Sequence, residues 1–172
     1  MRGKEIMQIL ADTAYVHTGG TAEELKCAQF LVEKCAALGL KAELEPFGVD
    51  MAEIHAAKFL ADGAEIPCKG YFNAGSGQIE APFYYCPNTD PCSLAGCKGK
   101  IVMIDGYLGY WLYQDLLENG AAGVVTYSGD VHYADRDIDQ RELRSFIAKG
   151  RKIPAVNINA KDAVELIRQG AA

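Results

Sequence analysis

Apolar positions near the start of the chain recur at helical spacing. Ile6, Ile9 and Leu10 form a stripe that predicts a first helix over Lys4 to Tyr15. After the turn His17-Thr18-Gly19-Gly20, the run Thr21-Ala22-Glu23-Glu24 reads as a capping box. The Thr21 hydroxyl accepts the Glu24 N–H and the Glu24 carboxylate reaches back. The helix it opens carries Leu25, Ala28, Leu31, Val32, Cys35 and Leu38 on one face and stops at Gly39, placed as a left-handed C′ residue. Leu40 to Phe47 then alternates apolar and charged residues, which predicts a strand with Pro46 at an edge or end.

From Met51 the texture changes. Short runs at Ala57–Leu60, Glu65–Phe72 and Gln78–Cys86, punctuated by Gly and Pro, predict antiparallel strands and hairpins, with Asp62-Gly63 as one two-residue turn and Ala74-Gly75-Ser76-Gly77 as another. Ile101 to Asp105 is a continuous apolar run of the kind buried on both faces. A helix follows from Tyr110 to Asn119, and Ala121 to Tyr127 is a second buried strand. Strand, helix and strand with short links predict a βαβ unit with parallel strands. Farther on, Asp139 as N-cap and Glu142 at N3 predict a short helix through Ala148. Ile153–Ile158 reads as a third strand, and a last helix runs from about Ala160 to Gln169. The pattern as a whole is α+β: a central βαβ unit in a mixed sheet, preceded by two N-terminal helices.

Composition narrows the function. The chain has 172 residues, of which 49% are hydrophobic and 23% charged, so it can build a full core and is neither disordered nor fibrous. Seventeen basic against 23 acidic residues give a net charge of −6, which disfavours nucleic acid as a partner. No apolar run approaches the ~20 residues of a membrane span and no leader-like stretch opens the chain. The expectation is a soluble, cytoplasmic protein with no membrane partner. Six cysteines raise the question of disulfides. Cys27 and Cys35 lie eight residues apart on one helix, about 12 Å, which is too far to pair. Cys86, Cys92 and Cys97 lack the C-x-x-C spacing of zinc sites. Between a Cys86–Cys92 bridge and free thiols, free thiols fit a reducing compartment better.

Candidate chemistry is sparse. His17 sits in a Gly-rich turn and His55 has only Glu53 nearby. His132 lies among Asp130, Asp135, Asp137 and Asp139, but Gln140 and Phe146 stand where a calcium loop needs Gly and Glu. A solvated acidic loop accounts for this run better than an ion site. Ser76 lacks the spacing of a nucleophile elbow, and no phosphate- or dinucleotide-binding glycine pattern occurs. No catalytic residue and no metal ligand is assigned. The remaining feature is aromatic: Tyr107, Tyr110 and Trp111 are candidates for a substrate or partner contact, with simple packing as the other reading, while Tyr113 at helical spacing belongs to the core.

Three blocks carry a resemblance. Lys98-Gly99-Lys100-Ile101-Val102-Met103-Ile104, Gly120-Ala121-Ala122-Gly123-Val124-Val125-Thr126-Tyr127 and Ile153-Pro154-Ala155-Val156-Asn157-Ile158, in that order, resemble the protease-associated (PA) domain over about Ala52 to Gly170. Asp105 departs, standing where many members carry a basic residue. His17 to Glu24, the helix to Gly39 and the segment to Phe47 resemble the opening of zinc-dependent aminopeptidases of the transferrin-receptor-like peptidase family. In that family a PA domain is inserted after this opening. The resemblance implies a swivelling β/β/α domain over residues 51–172 and an incomplete helical segment of a catalytic domain over residues 1–50. It implies that the family's zinc ligands and catalytic Glu follow the insert, so this chain binds no cofactor of its own while zinc belongs to the full-length parent. The role it implies is control of substrate access or association in a metallopeptidase. The partners it implies are the rest of the catalytic domain, the parent's peptide substrate and, for the uncovered apolar helix face, another copy of the chain. A stand-alone peptide- or protein-interaction module is the alternative, and a small-molecule enzyme using the His132 loop or the cysteine loop a third.

Overall fold

The structure, a computed structural model, describes residues 3–49, 51–132, 138–144 and 150–170. The chain divides into two compact units, Met1–Met51 and Ala52–Ala172.

The first unit holds α1 (Gly3–Asp12) and α2 (Ala22–Ala37). Helix α1 ends three residues before the expected Tyr15. The Thr13 hydroxyl bonds back to the Ile9 carbonyl at 2.9 Å, a local contact that competes with helix propagation. Helix α2 starts as expected, with the Thr21 hydroxyl accepting the Glu24 N–H at 3.3 Å. The returning Glu24 carboxylate takes the Gly20 N–H at 2.6 Å rather than that of Thr21. At the other end Gly39, at φ +75°, donates to Ala36 and Leu40 donates to Cys35, the paired bonds of a Schellman cap. The strand expected from Leu40 to Phe47 is not formed. A strand needs a neighbour for its backbone groups, and among the described residues none pairs with this segment. Its apolar positions Leu40, Leu44 and Phe47 stay exposed.

The second unit is built on a five-stranded mixed sheet. Its strands are β3 (Cys68–Gly70), β4 (Phe83–Cys86), β5 (Ile101–Ile104), β6 (Gly123–Ser128) and β7 (Ala155–Asn159), in the order β3-β7-β6-β5-β4. Strands β4 to β7 are mutually parallel and β3 runs antiparallel to β7. The expected βαβ unit is β5, α4 (Tyr110–Glu118) and β6, with Ile101 opposite Gly123. A separate hairpin pairs β1 (Phe59–Ala61) with β2 (Ala64–Ile66) through Asp62 and Gly63, both at positive φ as a type I′ turn requires.

Two expectations for this region need correction. The run Glu65–Phe72 is broken at Pro67, which has no N–H to donate, and its halves join different sheets. The run Gln78–Cys86 yields a parallel strand, not half of a hairpin. Strands β3 and β4 lie at opposite edges of the sheet, so Ala74–Gly77 belongs to a connection across it, not a hairpin turn. Gly75 donates to the Ile153 carbonyl at 3.0 Å, and a Cβ there would lie 2.7 Å from the Ile153 backbone. Only glycine allows that approach.

Period-two alternation loads both faces of the sheet. Val102, Ile104, Val124 and Ala155 join Leu108, Tyr113 and Leu116 on the α4 side. Met103, Val125 and Ile158 meet Phe59 of the hairpin and Ala163 and Leu166 of α5 (Ala160–Arg168) on the other. The short α3 (Pro91–Leu94) and the single 3₁₀ turn Ala95–Cys97 lie beside β4 and contribute Leu94 and Cys97 to the α4-side core. All six cysteines are free thiols, as the spacing favoured.

A buried polar chain crosses the α4 side of the sheet. The Tyr71 hydroxyl donates to Thr126 Oγ1 at 2.7 Å, and Thr126 donates to Asn157 Oδ1 at 2.8 Å. Asn157 Nδ2 donates to Ser128 Oγ at 2.8 Å and to the Asp139 carbonyl at 2.9 Å. Thr126 and Asn157 are fully buried, so each bond replaces a water the group has lost. Asn157→Ala removes both ends of this relay and strands Thr126 and the Asp139 carbonyl. We expect it to lower the unfolding free energy by about 2–4 kcal/mol, read from urea titration, against about 1 kcal/mol for Ser128→Ala.

Burial also sets an alkaline limit. Burial first, then the neighbouring Cys86 sulfur, push the Cys97 thiol from 9.0 up to about 11. The folded chain therefore keeps a proton that the unfolded chain loses, and stability falls as pH rises from 9 toward 11. Under reducing conditions the unfolding free energy from urea titration is expected to decline across that window, by up to about 1.4 kcal/mol per pH unit for this group, and less steeply in Cys97→Ala.

Candidate binding surface

The carboxyl ends of β4, β5, β6 and β7 open onto one edge of the sheet, the edge at which parallel α/β sheets place their ligands. From β5 emerges the loop 105–109, which carries Tyr107 and delivers the chain to α4, whose first residues are Tyr110 and Trp111. Tyr107 is 65% exposed, Tyr110 40% and Trp111 78%, whereas Tyr113 is buried and accepts the Ile153 N–H at 3.1 Å. Tyr110 and Trp111 meet edge to face at 5.1 Å between ring centres. The three sequence candidates thus stand together at the start of one helix, presenting aromatic surface outward.

Sequence reasoning missed the residue that holds this loop. Arg141 is 8% exposed, and its guanidinium lies 4.9 Å from the centre of the Tyr107 ring. Its Nη1 donates to the Gly106 carbonyl at 2.7 Å and, more weakly, to the Tyr71 hydroxyl at 3.5 Å. Its Nη2 donates to the Tyr127 carbonyl at 3.2 Å. The side chain therefore ties the end of β6 to the loop after β5 and joins both to the Tyr71–Thr126–Asn157 chain. Its Nε finds no hydrogen-bond partner among the described residues. Leu108, 2% exposed, fixes the other side of the loop in the core.

The helix expected to start at Asp139 hid Arg141. Residues 139–144 are not helical: Phe72 donates to the Arg141 carbonyl at 3.0 Å and Leu143 donates to the Phe72 carbonyl at 2.9 Å, a bridge that pairs Phe72 with Glu142. Arg141 and Leu143 are buried while Gln140, Glu142 and Arg144 are exposed. That alternation has the period of a strand, and it was the signal available in the sequence. The rest of that expected helix, 145–148, lies outside the described residues.

Beside the aromatic loop, the Tyr127 hydroxyl lies within electrostatic reach of Tyr85 and Asp105. Burial, with those two groups, raises its pKa. The histidines do not converge. His17 Nδ1 bonds to the Tyr15 carbonyl at 2.6 Å, and His55 lies 3.7 Å from the Glu53 carboxylate. The His132 N–H bonds to Asp130 Oδ1 at 2.8 Å as in an Asx turn, and Asp135 and Asp137 lie outside the described residues. Among the described residues no three His, Cys, Asp or Glu side chains come together in a way that fits a metal ion, and no helix is long and apolar enough to cross a membrane.

Because Arg141 donates to carbonyls on two separate segments from a buried position, Arg141→Met should cost about 2–4 kcal/mol in urea titration and loosen the Tyr107 loop, seen as altered near-ultraviolet circular dichroism. Arg141→Lys should recover less than half, since an ammonium cannot fork between two carbonyls and stack on Tyr107 together.

No protein-family model matches the chain, and no curated protein does. Solved structures do. The zinc aminopeptidase BSAP from Bacillus subtilis matches with a TM-score of 0.70 at 20% identity, over 96% of this chain and 41% of its own. The aminopeptidase from Aneurinibacillus sp. strain AM-1 matches at 0.61 and 17% identity, over 96% and 40%. A peptidase M28 precursor from Shewanella amazonensis SB2B matches at 0.61 and 16% identity, over 97% and 43%. The chain spans about two-fifths of the length of these structures, and it has the fold of that part of them.

Proposed function

We propose that this chain is the non-catalytic portion of a zinc aminopeptidase: a PA-type domain that governs access of peptides to the catalytic cleft, together with the opening helices of the catalytic domain. The observation that carries this reading is the match to aminopeptidase structures over 96% of the chain at less than half of their length. A mixed sheet with helices on both faces is consistent with a PA-like domain. In this reading zinc resides in the remainder of the parent protein, as the similarity to zinc aminopeptidases suggests.

The first unit supports the same reading. Leu25, Leu31, Leu40, Leu44 and Phe47 are exposed, and α1 and α2 border a groove lined by Ile9, Ala37 and Leu38. This apolar load suits packing against the remainder of a catalytic domain, with self-association of the isolated chain as its substitute. The aromatic surface at Tyr107, Tyr110 and Trp111 is the place where peptide substrate or partner meets the second unit. Rigid aromatics bury much area at little entropic cost.

Two measurements test the proposal. Purified chain with added zinc or cobalt should hydrolyse no aminoacyl anilide above a denatured control, and turnover would overturn the non-catalytic assignment. Trp111 is the sole tryptophan, so its fluorescence reports the surface directly. Titration with short apolar peptides should shift the emission saturably, and Tyr107→Ala should weaken binding about tenfold or more. An unchanged emission at millimolar peptide would remove the contact role.

A further inference from the structure

The five-stranded sheet has two edges, and the fold treats them differently. Beside β3 the segment 139–143 gives cover: Gln140 Nε2 donates to the Gly70 carbonyl at 2.6 Å, and Phe72 bonds to Arg141 and Leu143 at 3.0 and 2.9 Å. Beside β4 no strand pairs on the outer side among the described residues. Strand β4 is bound to β5 alone, and the Ile101 N–H donates to the Pro82 carbonyl at 2.9 Å. With Phe83 opposite Ile101, that bond settles which way each residue faces. In a parallel ladder the backbone groups of Pro82, Tyr84 and Cys86 then point at β5, and those of Phe83 and Tyr85 point away from it.

Edges are ordinarily blunted by lysine, proline or a bulge. Strand β4 carries none of these. Phe83, Tyr84, Tyr85 and Cys86 are uncharged, their register with β5 runs without a skip, and prolines stand only at the flanks, Pro82 and Pro87. Phe83 and Tyr85 pack on the hairpin side of the sheet and Tyr84 on the α4 side, all three half-buried, so aromatic surface borders the open edge on both faces.

We propose that β4 accepts an extended peptide as an added antiparallel strand, with the peptide's amino end toward Asp90 and Asp105. Phe83 and Tyr85 each offer one N–H and one C=O outward, which gives four main-chain bonds. Charge sets the direction. Asp90 and Asp105, both exposed, follow the carboxyl ends of β4 and β5, whereas Lys98 and Lys100 precede β5 at the other end, beside Glu80. The first end suits an ammonium group and the second a carboxylate. This edge is separate from the Tyr107 surface. Main-chain pairing asks for no particular side chain, and it stands whether or not the chain serves an aminopeptidase.

The test follows backbone amide hydrogen exchange of the whole chain by NMR. The probe is a peptide of alternating valine and threonine with two lysines at its amino end. In the free chain Tyr84 and Cys86 should exchange slowly and Phe83 and Tyr85 fast. Saturating peptide should slow Phe83 and Tyr85 by about tenfold or more. The same peptide N-methylated along its length should not bind, and moving the lysines to its carboxyl end should weaken binding about threefold. Tyr85→Pro removes one outward donor without breaking a bond to β5, and should abolish the slowing at Phe83. Tyr85→Ala keeps that donor and should bind within about twofold of the parent chain. Trp111 emission in the same titration reports the aromatic surface independently. Slow exchange of Phe83 and Tyr85 in the free chain, no slowing at millimolar peptide, or equal binding of the N-methylated peptide would each overturn the proposal. Slowing produced by concentrating the chain alone would also overturn it, by showing that a second copy occupies the edge. Equal binding with the lysines moved would overturn the direction.

Discussion

An asparagine in the middle of a parallel sheet constrains everything around it. Asn157 sits on β7 opposite Thr126 of β6 and bonds to Thr126, Ser128 and the backbone of Asp139. A buried amide without partners costs several kcal/mol, about 1–3 by mutational measure and more by transfer to hydrocarbon. That penalty applies to every alternative register. A slip of one residue would turn Asn157 into the apolar layer of Met103, Val125 and Ile158, where no group can answer it. The chain of donors also has a direction, from Arg141 through Tyr71 and Thr126 to Asn157, so each bond polarises the next. Register, the position of residues 139–141 and the orientation of the Tyr107 loop are thus set by one connected group of side chains.

The two units differ in how they are held. In the second, strands β5 to β7 are covered on both faces and the largest side chains are fully buried. In the first, Cys27 is the single buried residue among those described in its two helices. Local devices carry that unit: the Thr21–Glu24 cap, the Schellman close at Gly39 and the Lys34 ammonium over the Phe30 ring. Such contacts contribute about 0.5–2 kcal/mol each, enough to define helix ends but not to replace a core. The apolar stripe that caps alone cannot cover stays exposed along both helices.

What the sequence disclosed follows the same division between local and long-range causes. Helix α2 was legible because its start and stop are written within a few residues of each end. Strands β5 and β6 were legible because burial on both faces leaves a continuous apolar run, and α4 between them fixes their parallel sense. Leu40 to Phe47 misled because alternation records only that one side of a segment is apolar. It does not supply the neighbour that makes a strand. Residues 139–144 misled in the opposite way. An Asp followed by a Glu three residues on is a cap signal only if helical periodicity follows, and here Arg141 and Leu143 alternate with Gln140, Glu142 and Arg144. The aromatic candidates could be named from the sequence, but not Arg141, whose partners are backbone carbonyls at Gly106 and Tyr127 that no residue pattern encodes.

Fold likeness alone leaves function open, since one architecture hosts many activities. What gives the aromatic surface its weight is that it is held rather than merely exposed. A loop free to move would lose part of any binding energy in becoming ordered, about 0.5–1.5 kcal/mol for each side chain immobilised. Here Leu108 anchors the loop from within the core, and Arg141 grips its backbone at Gly106 while stacking on Tyr107. Tyr110 and Trp111 follow directly on α4, whose Tyr113 and Leu116 are fully buried. Much of the ordering cost has therefore been met by folding before any partner arrives. A surface held in this way presents the same face to whatever meets it, without being reshaped on contact.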